Sequence, residues 1–282
     1  MPKIVSFSPF FTDLHAQGID YAAARAKEVG FDAVEFIAGS LDGHDLYDNP
    51  DASRFASVLT QNDLGVGCYS VCADFVYTEK TVENLLRNAD FAVSLGAPYL
   101  HHTLAPYLTA NPRVPEFETL FAQTVEAAVR VAEYCKTLGL TVLYEPQGIY
   151  FNGTARLQRF FAEVSAQCSN VGICADFGNP MFVGEAPAEL IAHFAPFARH
   201  AHVKDYLHTP AYVGTELSEE FCLADGSWLT AIACGKGSVD VKGCLAALKA
   251  VGYNGAFALE CNGSDEMLRQ TIANVRDWWE TL

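Results

Sequence analysis

The sequence predicts an α/β protein, a single (β/α)8 barrel spanning residues 1–282 as one domain. Three observations lead there: a helix-Gly-strand phrase that recurs along the chain, eight strand candidates separated by helical stretches, and charged residues that close the late strands.

The phrase occurs as AKEVGFDAVEF (26–36), AVSLGAPYLHH (92–102), CKTLGLTVLYE (135–145) and LKAVGYNGAFALE (248–260). In each, Gly30, Gly96, Gly139 or Gly252 stands where a helix C-terminus calls for a left-handed residue, and a buried-strand run follows. Weaker versions precede VGCYSV, VGICAD and HAHVKD. With the opening run at Ile4–Ser8, strands are expected near 4–8, 33–37, 66–71, 98–102, 141–145, 171–176, 200–204 and 256–260. Between them, TVENLLRNADFAVSL, FAQTVEAAVRVAEYCKTL and DEMLRQTIANVRDWWETL repeat apolar residues at three- and four-residue steps, the period of a helix with one buried face. Strand and helix in alternation, with strands apolar on both faces, mean a parallel sheet, and eight repeats favour closure. An open doubly wound sheet would advertise a GxGxxG turn after a strand, and none is present. The longest irregular piece, the loop after the seventh strand at about 206–238, has the length of a functional loop.

Composition narrows the function classes. A net charge of −16 with only 18 Lys and Arg argues against nucleic acid, whose phosphates demand clustered cations. No apolar run approaches the roughly 18 residues of a membrane span, and Met1–Phe11 does not resemble a targeting signal. A soluble, cytoplasmic protein is expected. The nine cysteines are odd in number and lack a CxxC pair, so they read as reduced thiols.

In a barrel, residues at the C-terminal ends of the strands converge on one face. TVLYE closes on Glu145, VGICAD on Asp176, and AFALE on Glu260, while HAHVKD carries His202, Lys204 and Asp205. A buried carboxylate is costly unless a cation compensates it, and three acids with one imidazole can share one ion. The expectation is one divalent metal on Glu145, Asp176, His202 and Glu260. That oxygen-rich set suits Mn²⁺ first, with Mg²⁺ or Co²⁺ as alternatives.

The motifs LYEP, CADFGN, HAHVKD and GYNGAFALE resemble the sugar isomerase and epimerase branch of the xylose-isomerase-like TIM-barrel superfamily. The resemblance covers nearly the whole chain in element order. It implies those four residues as metal ligands, with Glu145 and Glu260 also serving as the acid/base pair. The implied activity is proton transfer next to a carbonyl, through an enediolate, on a small ketose, keto-sugar or cyclitol; the implied partner is a small sugar or polyol. A lyase of the inosose-dehydratase or 3-keto-glycoside type would use the same residues, and a sugar- or metal-binding barrel without chemistry is the non-enzymatic alternative. Ketose 3-epimerases of this group carry a His where this chain has Asn179 and an Arg where it has His208, so the sugar contacts differ. Relatives are often dimers or tetramers, so a homo-oligomer is expected, with Trp278 and Trp279 as candidate anchors.

Further substrate contacts are expected from Lys204, which holds a substrate oxygen or pairs with an acid, and from whichever of His101 and His102 faces the mouth. Glu35 binds a hydroxyl or orients a ligand. Gln147 and Asn262 bind substrate or fix their loops. Phe7, Tyr69 and Trp228 are candidate apolar walls.

Overall fold

The computed structural model describes residues 1–38, 52–217 and 219–282. Eight parallel strands form a closed barrel: β1 (Ile4–Ser6), β2 (Ala33–Ala38), β3 (Gly65–Val71), β4 (Tyr99–His102), β5 (Thr141–Tyr144), β6 (Val171–Asp176), β7 (Ala198–Val203) and, last in sequence, β11 (Ala256–Leu259). Closure comes from β1, which pairs with β2 on one side and β11 on the other. The helices α1 (Ser8–Gln17), α2 (Ile19–Val29), α3 (Ala52–Gln61), α4 (Thr78–Ser94), α5 (Phe117–Thr137), α6 (Thr154–Ser165), α7 (Pro187–Phe194), α8 (Val241–Ala250) and α9 (Asp265–Thr281) complete the α/β alternation. Among the described residues no helix is long and apolar enough to cross a membrane.

The joints work as the sequence suggests. Gly30, Gly96, Gly139 and Gly252 all have positive φ, between 72° and 106°, and a side chain there would meet open space. Backbone conformation is therefore what demands glycine.

Strand alternation divides the apolar residues into two cores. Val34, Phe36, Tyr144, Ala201, Val203 and Phe257 face outward and join the helices in the main cluster. Val5, Phe7, Ala33, Ala258, Cys68, Leu143 and Cys174 form smaller clusters in the lumen. Two bulges adjust which residues point inward. The register steps from Val34↔Val66 to Glu35↔Cys68, leaving Gly67 as the extra residue, and from Ile173↔Ala198 to Cys174↔His200, leaving Arg199. A Cβ at Gly67 would stand 2.8 Å from Val5, so close approach fixes glycine there.

The segment expected to be irregular, about 206–238, instead carries an antiparallel sheet: β8 (Asp205–Thr209), β9 (Glu220–Cys222) and β10 (Trp228–Ile232), ordered β8-β10-β9. Ser218, within this segment, lies outside the described residues. Tyr206, Leu229 and Ala231 bury one face of the sheet against Met181 and Phe182. Asp205 ties the far end of the excursion back to β7, accepting the N–H groups of Gly235, Gly237 and Val239 at 2.9, 2.8 and 3.1 Å. These strands lack the apolar run behind a helix-closing glycine that marks the barrel strands, so the sequence reads as loop.

The tryptophans proposed as interface anchors pack within the chain. Trp279 lies against Phe257 at 5.1 Å, and Trp278 covers Gly235 and lies 5.4 Å from the Lys242 ammonium.

Candidate metal and active centre

Four polar residues from four strands meet at the C-terminal end of the lumen. Asp176 ends β6, His202 lies on β7, and Glu145 and Glu260 directly follow β5 and β11. His202 Nδ1 is the hub, 3.3 Å from Glu145 Oε2, 3.3 Å from Glu260 Oε2 and 3.7 Å from Asp176 Oδ2. All four of these atoms are buried and lack a hydrogen-bond partner. A native interior seldom leaves one such atom unpaired, so four facing one another call for a ligand. An ion held octahedrally at about 2.1 Å sets neighbouring ligand atoms about 3 Å apart, and the observed separations suit such a group. The donor set fits a hard divalent cation.

The second atom of each residue is already engaged, which aims the first. Asp176 Oδ1 accepts the N–H groups of Gly178 and Asn179 at 2.9 and 2.6 Å. Glu260 Oε1 accepts from Lys204 Nζ at 2.8 Å, and His202 Nε2 contacts Glu35 Oε1 at 3.1 Å. Glu145 Oε1 lies 3.5 Å from His101 Nε2. Phe7 stacks on the His202 ring at 4.8 Å and gives the site an apolar wall. Gly178 leaves room for this packing, since a Cβ there would come within 2.7 Å of the Lys204 and Tyr206 side chains.

Electrostatics keep the acids ionised despite burial. Desolvation works against the charge on Glu145, but His101 and His202 outweigh it and hold the carboxyl at about 2. For Glu260 the same opposition is overcome by Lys204 and His202, again lowering its pKa. Lys204 pays a desolvation penalty as well, and the neighbouring Asp176 and Glu260 still raise it well above an ordinary lysine.

Other residues singled out in the sequence fall into four places. Lys204 is buried beside the cluster, its Nζ 3.0 Å from Asp176 Oδ2 without hydrogen-bond alignment. His101 points inward toward Glu145, and both Gln147 Oε1 and Asn179 Nδ2 are buried atoms without a partner. His102, the next residue on the strand, turns outward to Tyr144 and Phe75, with Nδ1 on Thr103 O, so the helix side rather than the mouth receives it. Tyr69 likewise faces the helices and donates to Asn88 Oδ1 at 2.8 Å, which removes it from the walls of the site.

Glu35 is wholly buried, with both oxygens taken by Ser70, His200 and His202, and is therefore placed to orient side chains rather than to touch a substrate. His208 lies exposed on β8, 2.9 Å from Ser227 Oγ and outside the cluster. Trp228 pairs with Tyr212 on β10, and Asn262 accepts from Thr12 in α1. Ser70 and His200 were not among the sequence candidates. Their signal is the inward alternation Cys68-Ser70 and His200-His202-Lys204, visible once the strand faces are assigned.

A family model described as xylose isomerase-like TIM barrel matches residues 23–281. No curated protein matches the sequence. Solved structures similar to this chain include an L-ribulose 3-epimerase, with TM-score 0.75, 20% identity and coverage of 100% of this chain and 95% of that one. A xylose isomerase-like TIM barrel protein from Mycobacterium smegmatis in complex with magnesium has TM-score 0.73, 18% identity and coverage of 99% and 97%. The D-allulose 3-epimerase from Methylomonas sp. in complex with D-allulose has TM-score 0.73, 18% identity and coverage of 98% and 96%. At these identities the likeness is one of fold.

Proposed function

The chain belongs to the xylose isomerase-like TIM barrel family, and from that premise we propose that it is a divalent-metal-dependent sugar isomerase or epimerase. The observation that carries this reading is the convergence of four buried atoms that make no hydrogen bond, one from each of Glu145, Asp176, His202 and Glu260. A divalent ion, Mn²⁺ first and Mg²⁺ or Co²⁺ next, supplies fixed positive charge beside the carbonyl oxygen where negative charge develops as the neighbouring carbon loses its proton.

The rest of the chemistry falls to the chain's own groups. Glu145 and Glu260 reach the site from β5 and β11, which have β6 and β7 between them in the barrel, so their carboxylates approach from different sides. One removes the carbon proton and the other returns it, which inverts a carbinol centre. Lys204 holds Glu260 Oε1 and leaves Oε2 toward the reacting atoms. The unpartnered atoms Gln147 Oε1 and Asn179 Nδ2, with His101 beside Glu145, suit the hydroxyl groups of a small ketose, keto-sugar or cyclitol. Phe7 covers an apolar flank and helps to keep water from the proton in transit. The names of two similar structures, an L-ribulose and a D-allulose 3-epimerase, support the same substrate class.

The test is incubation of the Mn²⁺-loaded protein with free ketoses and inososes in D₂O. Deuterium incorporated at a carbinol carbon, with mass otherwise retained, is expected. Loss of water would assign a lyase instead, and no turnover across the panel would leave a binding barrel.

A further inference from the structure

One buried side chain outside the metal cluster ties together the two loops that carry the unpartnered amides. Asn152 is 2% exposed; its Nδ2 donates to Gly148 O at 3.0 Å and to Asn179 O at 2.7 Å, and its Oδ1 accepts the Gly153 N–H at 2.7 Å. Two carbonyls and one N–H match the donors and the acceptor of a carboxamide, so both ends of the side chain are engaged. Gly148 follows Gln147 in the connection from β5 to α6, and Asn179 lies in the connection from β6 to α7. Asn152 therefore joins, through backbone, the stretches whose side chains end in the unpartnered Gln147 Oε1 and Asn179 Nδ2.

The surrounding contacts leave this tie little room to shift. Gly148 has φ +64°, and a Cβ there would stand 2.5 Å from Ala105 O and 2.8 Å from Tyr107 O, so the β5 loop presses on the loop after β4. The Ile149 N–H donates to Tyr107 O at 2.9 Å. Farther along, Glu185 Oε2 accepts the Thr154 N–H at 2.9 Å and the Thr154 hydroxyl at 2.7 Å, which fastens the end of the β6 loop to the start of α6. Side chains carried on fixed backbone lose less freedom when a ligand binds, and a misplacement of about 1 Å at such contacts is costly. Among the described residues no hydrogen bond joins Asn152 to the metal cluster itself; Asn179, whose N–H donates to Asp176 Oδ1 at 2.6 Å, stands between them.

We propose that Asn152 is a positioning residue for the substrate, fixing Gln147 and Asn179 relative to each other so that their amides meet the hydroxyl groups of one bound sugar. Gln147 Oε1 calls for a donor and Asn179 Nδ2 for an acceptor, and hydroxyl groups supply both. The proposal rests on the sugar-processing function above and deepens it, by separating what recognises the substrate from what holds the metal.

Steady-state kinetics and Mn²⁺ titration test it on the parent, Asn152→Ala, the pair Gln147→Ala with Asn179→Ala, and all three changes combined, using whichever sugar turns over in the D₂O panel. Asn152→Ala should raise KM about tenfold with kcat within about threefold, the pattern of lost substrate binding. In the background lacking both amides the same change should raise KM by less than about twofold, because the groups it positions are gone. Mn²⁺ affinity should stay within about threefold throughout, since Asn179→Ala keeps the N–H that Asp176 accepts. An unchanged KM in Asn152→Ala, or a KM effect undiminished in the background lacking both amides, would overturn the proposal. So would Mn²⁺ affinity falling as far as KM rises, which would place the role of Asn152 at Asp176. Should Asn152→Ala fail to fold, Asn152→Asp, which keeps the shape and the Gly153 contact but sets an oxygen against both carbonyls, takes its place in the same cycle. No turnover of any sugar by the parent would fail the function proposed above and this proposal with it, whereas turnover with additive effects would fail this proposal alone.

Discussion

The two ends of the barrel differ in a way that separates space from chemistry. The N-terminal end holds a cavity of about 920 Å³ lined in part by Lys3, Asp32, Asp63, Tyr99, Tyr253 and Trp279. Several of its polar groups are partnered: Asp32 Oδ2 accepts from the Ile4 N–H and from Arg276, Asp63 pairs with Lys27, and Tyr253 donates to Ala256 O. The C-terminal end gathers the buried Glu145 Oε2, Asp176 Oδ2, His202 Nδ1 and Glu260 Oε2, none of which has a hydrogen bond. Buried atoms left unpaired cost free energy, and among the described residues four of them face one another only in this cluster. An opening with partnered walls offers a ligand space, whereas a convergence of unsatisfied polar atoms offers it bonds, and the proposed function rests on the second.

Substitutions at the two ends should therefore separate cleanly. Glu145→Gln or Glu260→Gln removes a proton-transfer group as well as a metal ligand. Either should lower turnover of whichever sugar the D₂O panel identifies by at least about 10²- to 10⁴-fold, measured as kcat at saturating metal. Turnover within tenfold of the parent would break the assignment of that residue.

A second, smaller effect concerns the outward face of β4. Burial depresses His102 from the ordinary imidazole value of 6.5 to about 4. Between those values the unfolded chain binds more protons than the folded one, so stability rises with pH across that window and is lost as pH falls from 6.5 toward 4. The loss amounts to about 3 kcal/mol in total. Urea unfolding at pH 4.5 and pH 7 should show it, and His102→Gln should flatten the dependence. A parent protein equally stable at both pH values would contradict it.

The smallest effect is expected at the N-terminal cavity. Asn254→Ala, exposed on its rim, should leave Mg²⁺ affinity and turnover within about twofold of the parent. A large loss there would erase the contrast between the ends.

Much of the fold was legible because four of the eight barrel strands, β2, β4, β5 and β11, are apolar runs entered through a glycine of positive φ, and the others repeat their spacing. The four cluster residues stood out for a related reason, as charges closing runs that are otherwise buried. The antiparallel sheet did not stand out, because β9 is three residues long and β10 pairs with strands that interrupted sequence cannot bring together. The choice between His101 and His102 depended on strand register, and the role of Glu35 depended on Ser70 and His200, which lie 35 and 165 residues away along the chain. Spacing in sequence carries no trace of such contacts.

Calorimetric titration of Mn²⁺ into chelator-treated protein, beside its Asp176→Asn variant, tests the central claim most directly. Asp176→Asn deletes one charge from the cluster while keeping its shape. One ion bound per parent chain, with affinity strongly reduced in the variant, is the predicted result. No binding to the parent, or binding that the substitution leaves unchanged, would contradict it.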